Sequence, residues 1–420
     1  MTDSADVRMQ RDGSACLQPA PEPDPQRFER LQSWVRMRGA TLAPMALTTG
    51  PEGRVLCAAE PIRAGQLVLH LPLAAMIRER DARASETGRL LRERGVRLSA
   101  YGFLAVALLD LARTAGEEHP LLGILPASMA DHPYCWPEAD LVHLQGSFVL
   151  PMLRRRRVRI AQEHARLVAA VAPVWPLSLE DYLRAACLAW TRAFTIRVDG
   201  EDTYAMLPVA DLLDHSTQPN VEWIKESSLG FVMTAMRDIE AGEPLTHRYW
   251  SKSNARMLAT FGFCVADNPN EVAELRLPDL PADHPCAGLA ADLGAADHGV
   301  RVFQVAGDPD ARSTRELLTW LRLAECGRAE SVPLRNGRPD PRATGWADEG
   351  AVLRRLAEAC RLRLREFPGT LEEDAQLLLD RSLPSRVRAA VLARYGEKSV
   401  LRNLLHFAEA GLSGRENHDS

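Results

Sequence analysis

The chain has 420 residues, of which 46% are hydrophobic and 25% are charged, and its formal net charge is −5. This composition is typical of a globular protein, and the length allows two or three domains. The small negative charge disfavours an electrostatic nucleic-acid binder, and no apolar run approaches the ~20 residues that cross a bilayer. We therefore expect neither a nucleic-acid partner nor a membrane partner.

The amino-terminal stretch is polar and rich in proline, and it lacks the basic and apolar segments of a secretion signal. We expect residues 1–27 to form a disordered tail. The eight cysteines are dispersed, with no Cys-x-x-Cys pair. This spacing favours neither a zinc cluster nor a disulfide scaffold, so we expect no metal site and a reducing, cytoplasmic location.

The first half of the chain changes from strand-like to helical patterns. A short helix predicted over residues 28–39 is followed by strands over 54–58 and 66–71. A helical insert is expected over about residues 99–185. It opens with a helix that begins at Ser99 and runs to about residue 115, because leucines recur there on one side.

The second half returns to strands and then becomes helical. Strands are predicted over residues 220–224 and 229–235, within a strand-rich stretch that runs from 204 to 249. Towards the carboxyl end, apolar residues recur at helical spacing. The last of these helices is predicted to end at Gly411, since glycine often terminates helices.

One dense segment carries polar residues in an otherwise apolar context. The usual signatures of dinucleotide, nucleoside-triphosphate, zinc-protease and serine-hydrolase sites are absent from the sequence. Instead, an apolar stretch over residues 208–213 ends in Asp214-His215-Ser216, with Asn220 shortly after it. A second block covers residues 246–254 and is followed by Phe261-Gly262-Phe263.

These two blocks resemble the signature blocks of the SET domain, in the branch that includes Rubisco large-subunit lysine methyltransferase and the actin-histidine methyltransferases. Further stretches, in the same order along the chain, resemble other parts of this branch: its first strands, its helical insert, its Trp-containing helix and its carboxyl-terminal lobe, at residues 53–66, 123–126, 189–194, 371–374 and 394–398. The resemblance covers about residues 30–410.

The resemblance implies an α+β fold with two structured domains. A β-rich SET domain is expected over residues 28–268, interrupted by the helical insert over about 99–185. An all-helical substrate-binding lobe is expected over residues 269–420. No cysteine triplet follows Phe263, which favours the branch that modifies non-histone proteins.

The resemblance also implies an activity, N-methylation by S-adenosylmethionine of a lysine, or a histidine, in a non-histone protein. Tyr249 corresponds to the catalytic tyrosine at the transfer site. The protein substrate is expected to dock on the carboxyl-terminal lobe. By the same resemblance, the residues expected to bind the cofactor are Arg54, Arg192, Asp214, His215 and Phe263.

The sequence departs from the branch at three positions. Asp214 stands in place of the usual Asn, and its carboxylate can still accept a hydrogen bond from an ammonium group. Val55 and Trp250 each stand in place of a glycine, so both are expected to add bulk around the cofactor.

Two other functions stay open at this point. The chain could act on a small metabolite, since its alanine- and arginine-rich composition suits a bacterial genome. It could also be a catalytically weak SET-fold protein that binds a partner, which Val55 and Trp250 favour. Taken alone, Arg192 could simply pair with a carboxylate, and Asp211 and His247 are interpreted as structural.

Overall fold

The computed structural model describes residues 25–50, 53–116, 119–126, 128–171, 175–224 and 230–416. Its α-helices are α1 Pro25–Arg36, α2 Glu79–Ala84, α3 Glu86–Glu93, α4 Ala100–Ala115, α5 Pro120–Ile124, α6 Glu138–Leu141, α7 Val149–Val171, α8 Leu179–Arg192, α9 Asn254–Phe261, α10 Ala287–Ala290, α11 Arg312–Ala324, α12 Glu349–Leu364, α13 Leu371–Leu379 and α14 Ser385–Glu416. Its strands are β1 Thr41–Leu42, β2 Met45–Gly50, β3 Gly53–Ala58, β4 Leu67–Leu71, β5 Ile77–Arg78, β6 Ala193–Val198, β7 Glu201–Met206, β8 Asp214–His215, β9 Val221–Ile224, β10 Phe231–Ala235, β11 Thr246–His247, β12 Ala273–Pro278, β13 Ala295–Asp297, β14 Val300–Val305, β15 Leu334–Arg335 and β16 Arg338–Pro339.

The described part of the chain divides into two compact units, the first within residues 1–130 and 155–251 and the second within residues 131–154 and 252–420. The observed boundary therefore precedes the expected one at residue 269. The middle of the predicted insert joins the second unit, because its backbone is bound by α14: Arg394 Nη1 donates to the His143 carbonyl at 3.0 Å.

The first unit contains several small antiparallel sheets. One has the strand order β1-β4-β10-β9, a second has the order β5-β7-β6, and β2 and β3 form a hairpin. The strands predicted over residues 54–58, 66–71 and 220–224 lie in β3, β4 and β9, each within one residue of the expected limits. In β4 the side chains of Val68, Leu69 and Leu71 are buried.

The helices of the first unit begin and end at local signals. The Ser99 hydroxyl accepts a hydrogen bond from the Gly102 amide at the start of α4, and Gly116, at φ +68°, ends it. This helix was predicted at these limits. Helix α1 already begins at Pro25, so the last residues of the predicted tail are helical, and residues 1–24 lie outside the described part of the chain.

The second unit is mainly helical, which confirms the helical carboxyl-terminal region, and the fold class is α+β. The expectation of an all-helical lobe is corrected, since a three-stranded antiparallel sheet, β12-β14-β13, lies within it. This sheet shares one core with α11, α12 and α14, in which Leu317, Trp320, Leu356 and Leu401 are fully buried. None of the helices in the described residues is long and apolar enough to cross a membrane.

Helix α14 does not end at Gly411, as was predicted, but continues to Glu416. A Cβ added at Gly411 would lie 2.7 Å from Leu353 Cδ1 of α12. The glycine is therefore required by the close approach of two helices and not by a helix end.

A hairpin that the sequence analysis missed joins β15 to β16. Asn336 and Gly337 both have positive φ angles, +52° and +75°. This is the backbone of the two-residue turn that Asn-Gly favours between antiparallel strands. The dipeptide was therefore a readable signal in the sequence.

Candidate active site

The two polar blocks of the sequence meet in the first unit as parallel strands. Strands β8 and β11 pair, with Asp214 opposite Thr246 and His215 opposite His247. Asn220, which is buried, strengthens this pairing because its side-chain amide donates to the Pro244 carbonyl at 2.8 Å and accepts from the Thr246 amide at 2.8 Å. Blocks that are distant in the sequence thus form one site.

Tyr249 follows β11 and is held at both its backbone and its hydroxyl. Its hydroxyl donates to the Leu213 carbonyl at 2.6 Å, and its backbone amide donates to His215 Nδ1 at 3.1 Å. Burial raises the pKa of Tyr249 well above its ordinary value. The hydroxyl is therefore neutral at physiological pH and cannot act as a strong base.

The two histidines of the site are neutral for related reasons. Burial, and next the nearby Arg248 cation, lower the pKa of His215, which agrees with the role of Nδ1 as an acceptor. Burial lowers the pKa of His247 to about 4. The His247 ring lies 5.5 Å from the Phe194 ring and 4.7 Å from the Tyr249 ring, so it packs the site from within.

Arg192, the last residue of α8, forms an ion pair with Asp211. Its Nη1 donates to the Asp211 carbonyl at 2.9 Å and to Asp211 Oδ2 at 3.1 Å. The side chains are 16% and 1% exposed. Burial raises the pKa of Asp211, and the Arg192 cation opposes that rise. The reading of Arg192 as a carboxylate partner is confirmed, and the pair also lies close enough to Tyr249 to influence its pKa.

Arg54 brings a second guanidinium group to this cluster from β3. Its Nη1 donates to the Ile124 carbonyl. Burial and the nearby Arg192 cation lower the pKa of Arg54, whereas the carboxylates of Asp211 and Asp214 oppose this effect. Arg54 and Arg192 therefore form one charged cluster with Asp211 and Asp214. Arg192 and both carboxylates lie near Tyr249, the transfer residue that the resemblance implied.

The donors and acceptors of this cluster fit the amino-acid end of S-adenosylmethionine. Within the described residues, the Arg54 side chain makes no hydrogen bond other than that to Ile124, so its further N–H donors can meet a carboxylate. Asp214 presents an exposed carboxylate, which can meet an ammonium group. Asp211 Oδ1 and Arg192 Nε are buried and have no hydrogen-bond partner in the same set of residues.

Val55 and Trp250, the two residues that stand in place of glycines, do not lie against the Arg54 side chain: Val55 faces away from it and Trp250 is exposed. Val55 follows Arg54 in β3 and so faces the other side of the strand. Its Cγ2 would lie 2.7 Å from a Cβ at Gly50, which places it over that glycine of the hairpin. Trp250 keeps a glycine-like backbone at φ +93°, and 60% of it is exposed.

Val209 is strained, a feature that the sequence analysis did not predict. It is fully buried at φ +76°, a conformation that β-branched residues avoid and that costs about 1–3 kcal/mol. It directly precedes the 3-10 turn Ala210–Leu212, which carries Asp211. The surrounding packing must hold this strain, and it fixes the direction of the segment that leads to Asp214.

Phe263 lies in the second unit, partly buried, with its ring 6.1 Å from that of Phe261. Its expected contact with the adenine ring stays a prediction. Among the described residues, no group of three or more His, Cys, Asp or Glu side chains could hold a metal ion.

Comparison with known proteins agrees with the fold. The SET domain family matches residues 53–250, and the family described as Rubisco LSMT substrate-binding matches residues 287–401. The chain is 25% identical to the fructose-bisphosphate aldolase-lysine N-methyltransferase of Arabidopsis thaliana, over 90% of this chain and 82% of that enzyme. It is 24% identical to the actin-histidine N-methyltransferase of Homo sapiens, over 91% of this chain and 68% of that enzyme.

A solved structure of Rubisco LSMT bound to AdoMet has the same fold, with a TM-score of 0.71 and 23% identity over 92% of each chain. Both domain families therefore occur in this chain in the same order as the sequence resemblance implied. The chain thus contains a SET domain over residues 53–250 and a Rubisco LSMT substrate-binding domain over residues 287–401.

Proposed function

We propose that this protein is an S-adenosylmethionine-dependent N-methyltransferase that modifies a lysine side chain of a non-histone protein. The observation that carries the proposal is the Tyr249 hydroxyl, fixed by the Leu213 carbonyl beside Asp214 and His215. The relatives described above support it, because each is named as a protein N-methyltransferase.

Alignment of the reacting atoms is the main requirement of this reaction, because methyl transfer is an in-line displacement. S-adenosylmethionine, when bound, supplies a methyl group on a sulfonium. Tyr249 orients the acceptor nitrogen: a hydroxyl that donates to Leu213 can also accept a hydrogen bond. The acceptor must arrive unprotonated, since the neutral Tyr249 does not remove its proton.

The charged cluster would hold the amino-acid end of the cofactor. The Arg54 guanidinium would bind the carboxylate of the cofactor, and the Asp214 carboxylate would bind its ammonium group. Arg192 is held by its ion pair with Asp211 and would lie beside the amino-acid end of the cofactor. His215 is proposed to contact the adenine.

The second unit is proposed to dock the protein substrate, because it contains the match to the Rubisco LSMT substrate-binding family. A cytoplasmic location is also proposed. It is supported by the seven cysteines of the described residues, all of which are free thiols and five of which are buried.

Calorimetric titration with S-adenosylmethionine tests the cofactor site. Binding is expected, and Arg54→Ala should weaken it about tenfold or more, because a charge-assisted hydrogen bond contributes about 1.5–3 kcal/mol. Arg197→Ala is the matched control: this arginine is exposed on β6, and among the described residues its side chain donates only to the Gly200 carbonyl. Absence of binding at millimolar cofactor would reject the proposal.

A histidine acceptor is the second candidate, favoured by the similarity to the actin-histidine enzyme. The two acceptors can be separated by the pH dependence of turnover. A lysine loses its proton near pH 10.4 and a histidine near pH 6.5, so lysine methylation should keep rising above about pH 8 while histidine methylation levels off. Mass spectrometry of lysate proteins, labelled with the cofactor's methyl group, would identify the acceptor directly.

A further inference from the structure

A cavity of about 590 Å³ lies within the second unit. Its lining residues fall between positions 288 and 342 and include no residue of the candidate active site. It is lined by α10, by α11 and by the hairpin of β15 and β16. Its volume is within the ~300–1,000 Å³ typical of ligand pockets. Five arginines line it: Arg312, Arg315, Arg335, Arg338 and Arg342.

The positive charge of this cavity, here called the arginine cavity, is only partly neutralised. Three carboxylates also line it, those of Asp292, Glu316 and Asp340. Asp292 lies 3.6 Å from Arg338, while Glu316 accepts a hydrogen bond from the Gly294 amide. Asp340 accepts a hydrogen bond from the Arg342 backbone amide. Five cations therefore face three anions, each of which already has a partner.

Three of the arginines have no partner in the part of the chain that the structure describes. The side chains of Arg312, Arg335 and Arg342 make no hydrogen bond and no ion pair there, and all three are exposed. In addition, α11 begins at Arg312 without a capping side chain, and a helix amino terminus favours anions. Unpaired guanidinium groups around a concavity are the arrangement that binds carboxylates or phosphates.

We infer that the arginine cavity binds an acidic segment of the protein substrate. This inference rests on the proposed function, and it adds the chemistry of the substrate at the docking site. All five arginines lie inside residues 287–401, the segment that matches the substrate-binding family. The net charge of −5 over the whole chain disfavours a nucleic acid as the occupant.

Fluorescence anisotropy of the full-length protein tests the inference with a defined probe. The probe is a fluorescein-labelled octapeptide of alternating Glu and Ser, and its control has Gln in place of every Glu. The Glu peptide should bind, and the Gln peptide should bind at least tenfold more weakly. Binding of the Glu peptide should weaken as salt rises, because exposed charges are screened.

A pair of charge reversals locates the binding. The double variant Arg335→Glu, Arg342→Glu should bind the Glu peptide about tenfold more weakly, which equals about 1.4 kcal/mol of binding free energy. Arg159→Glu with Arg381→Glu makes the same change in net charge at exposed arginines outside the cavity, and it should weaken binding less than twofold. Melting temperatures of both double variants confirm that they are folded.

Equal binding of the two peptides, or equal losses in the two double variants, would overturn the inference. Tighter binding of a 20-nucleotide single-stranded DNA than of the Glu peptide would overturn it as well. Titration with S-adenosylmethionine separates it from the proposed function. Cofactor binding without Glu-peptide binding rejects the acidic-segment site alone, whereas the reverse result rejects the methyltransferase and leaves the site.

Discussion

Replacing Tyr249 with Phe removes one hydroxyl and keeps the ring. The lost hydrogen bond is the one to the Leu213 carbonyl, 2.6 Å long. Leaving a buried acceptor without its donor costs about 1–3 kcal/mol, which is a few degrees of melting temperature for a domain of this size. The Tyr249→Phe protein should therefore stay folded and should bind S-adenosylmethionine with affinity within about threefold of the wild type.

Turnover of Tyr249→Phe should nevertheless fall about 10²-fold, which equals about 2.7 kcal/mol of activation free energy. The assay is incorporation of labelled methyl groups at saturating cofactor, with the folded fraction measured in the same samples. Tyr204→Phe is the matched control, because this tyrosine lies in the same unit and its hydroxyl has no hydrogen bond among the described residues. Unchanged turnover in Tyr249→Phe would remove the hydroxyl from the mechanism.

Three further changes test the packing around the site and in the second unit. Val55→Gly should change the affinity for S-adenosylmethionine less than tenfold, measured by calorimetry, because the valine lies over Gly50 and not on the Arg54 side of β3. Asp374→Asn should lower the free energy of unfolding by about 3–5 kcal/mol, measured with denaturant, since Lys398 Nζ, which is buried, donates to Asp374 Oδ2 at 2.7 Å. Glu397→Gln should flatten the dependence of stability on pH, because burial raises the pKa of Glu397 to about 8. A carboxyl group with a raised folded pKa stabilises the protein while it is protonated, and this contribution is lost as the pH rises from about 4.5 to about 8.

Controls and contrary results differ among these three changes. A gain of a hundredfold or more in Val55→Gly would show that the valine blocks the cofactor. Glu372→Gln is the control for the other two, because Glu372 is exposed on α13 and pairs with Arg402 at the surface. A loss in Asp374→Asn no larger than in this control would mean that Lys398 is not held by the carboxylate. Parallel stability curves for Glu397→Gln and the wild type would exclude Glu397 as the titrating group.

Much of the fold follows from local signals in the sequence. Ser99 and Gly116 mark the ends of α4 through their own hydrogen bonds and backbone angles, which depend on neighbouring residues alone. The two polar blocks predicted the position of Asp214, His215 and Tyr249 in one site, and the structure pairs these blocks as strands. Gly411 shows the limit of such signals, because the same glycine can end a helix or admit a neighbouring one, and here Leu353 decides between them.

What the tertiary structure alone decided is the electrostatic environment of the site and of the arginine cavity. The groups that hold Tyr249 and Arg54 are backbone carbonyls, those of Leu213 and Ile124, and every residue has a carbonyl, so no side-chain identity marks them in advance. Likewise, folding decides that Arg192 meets Asp211 and that three of the five cavity arginines have no side-chain partner among the described residues. The sequence specifies which residues are charged, but the tertiary structure determines whether each charge is buried and whether it has a partner.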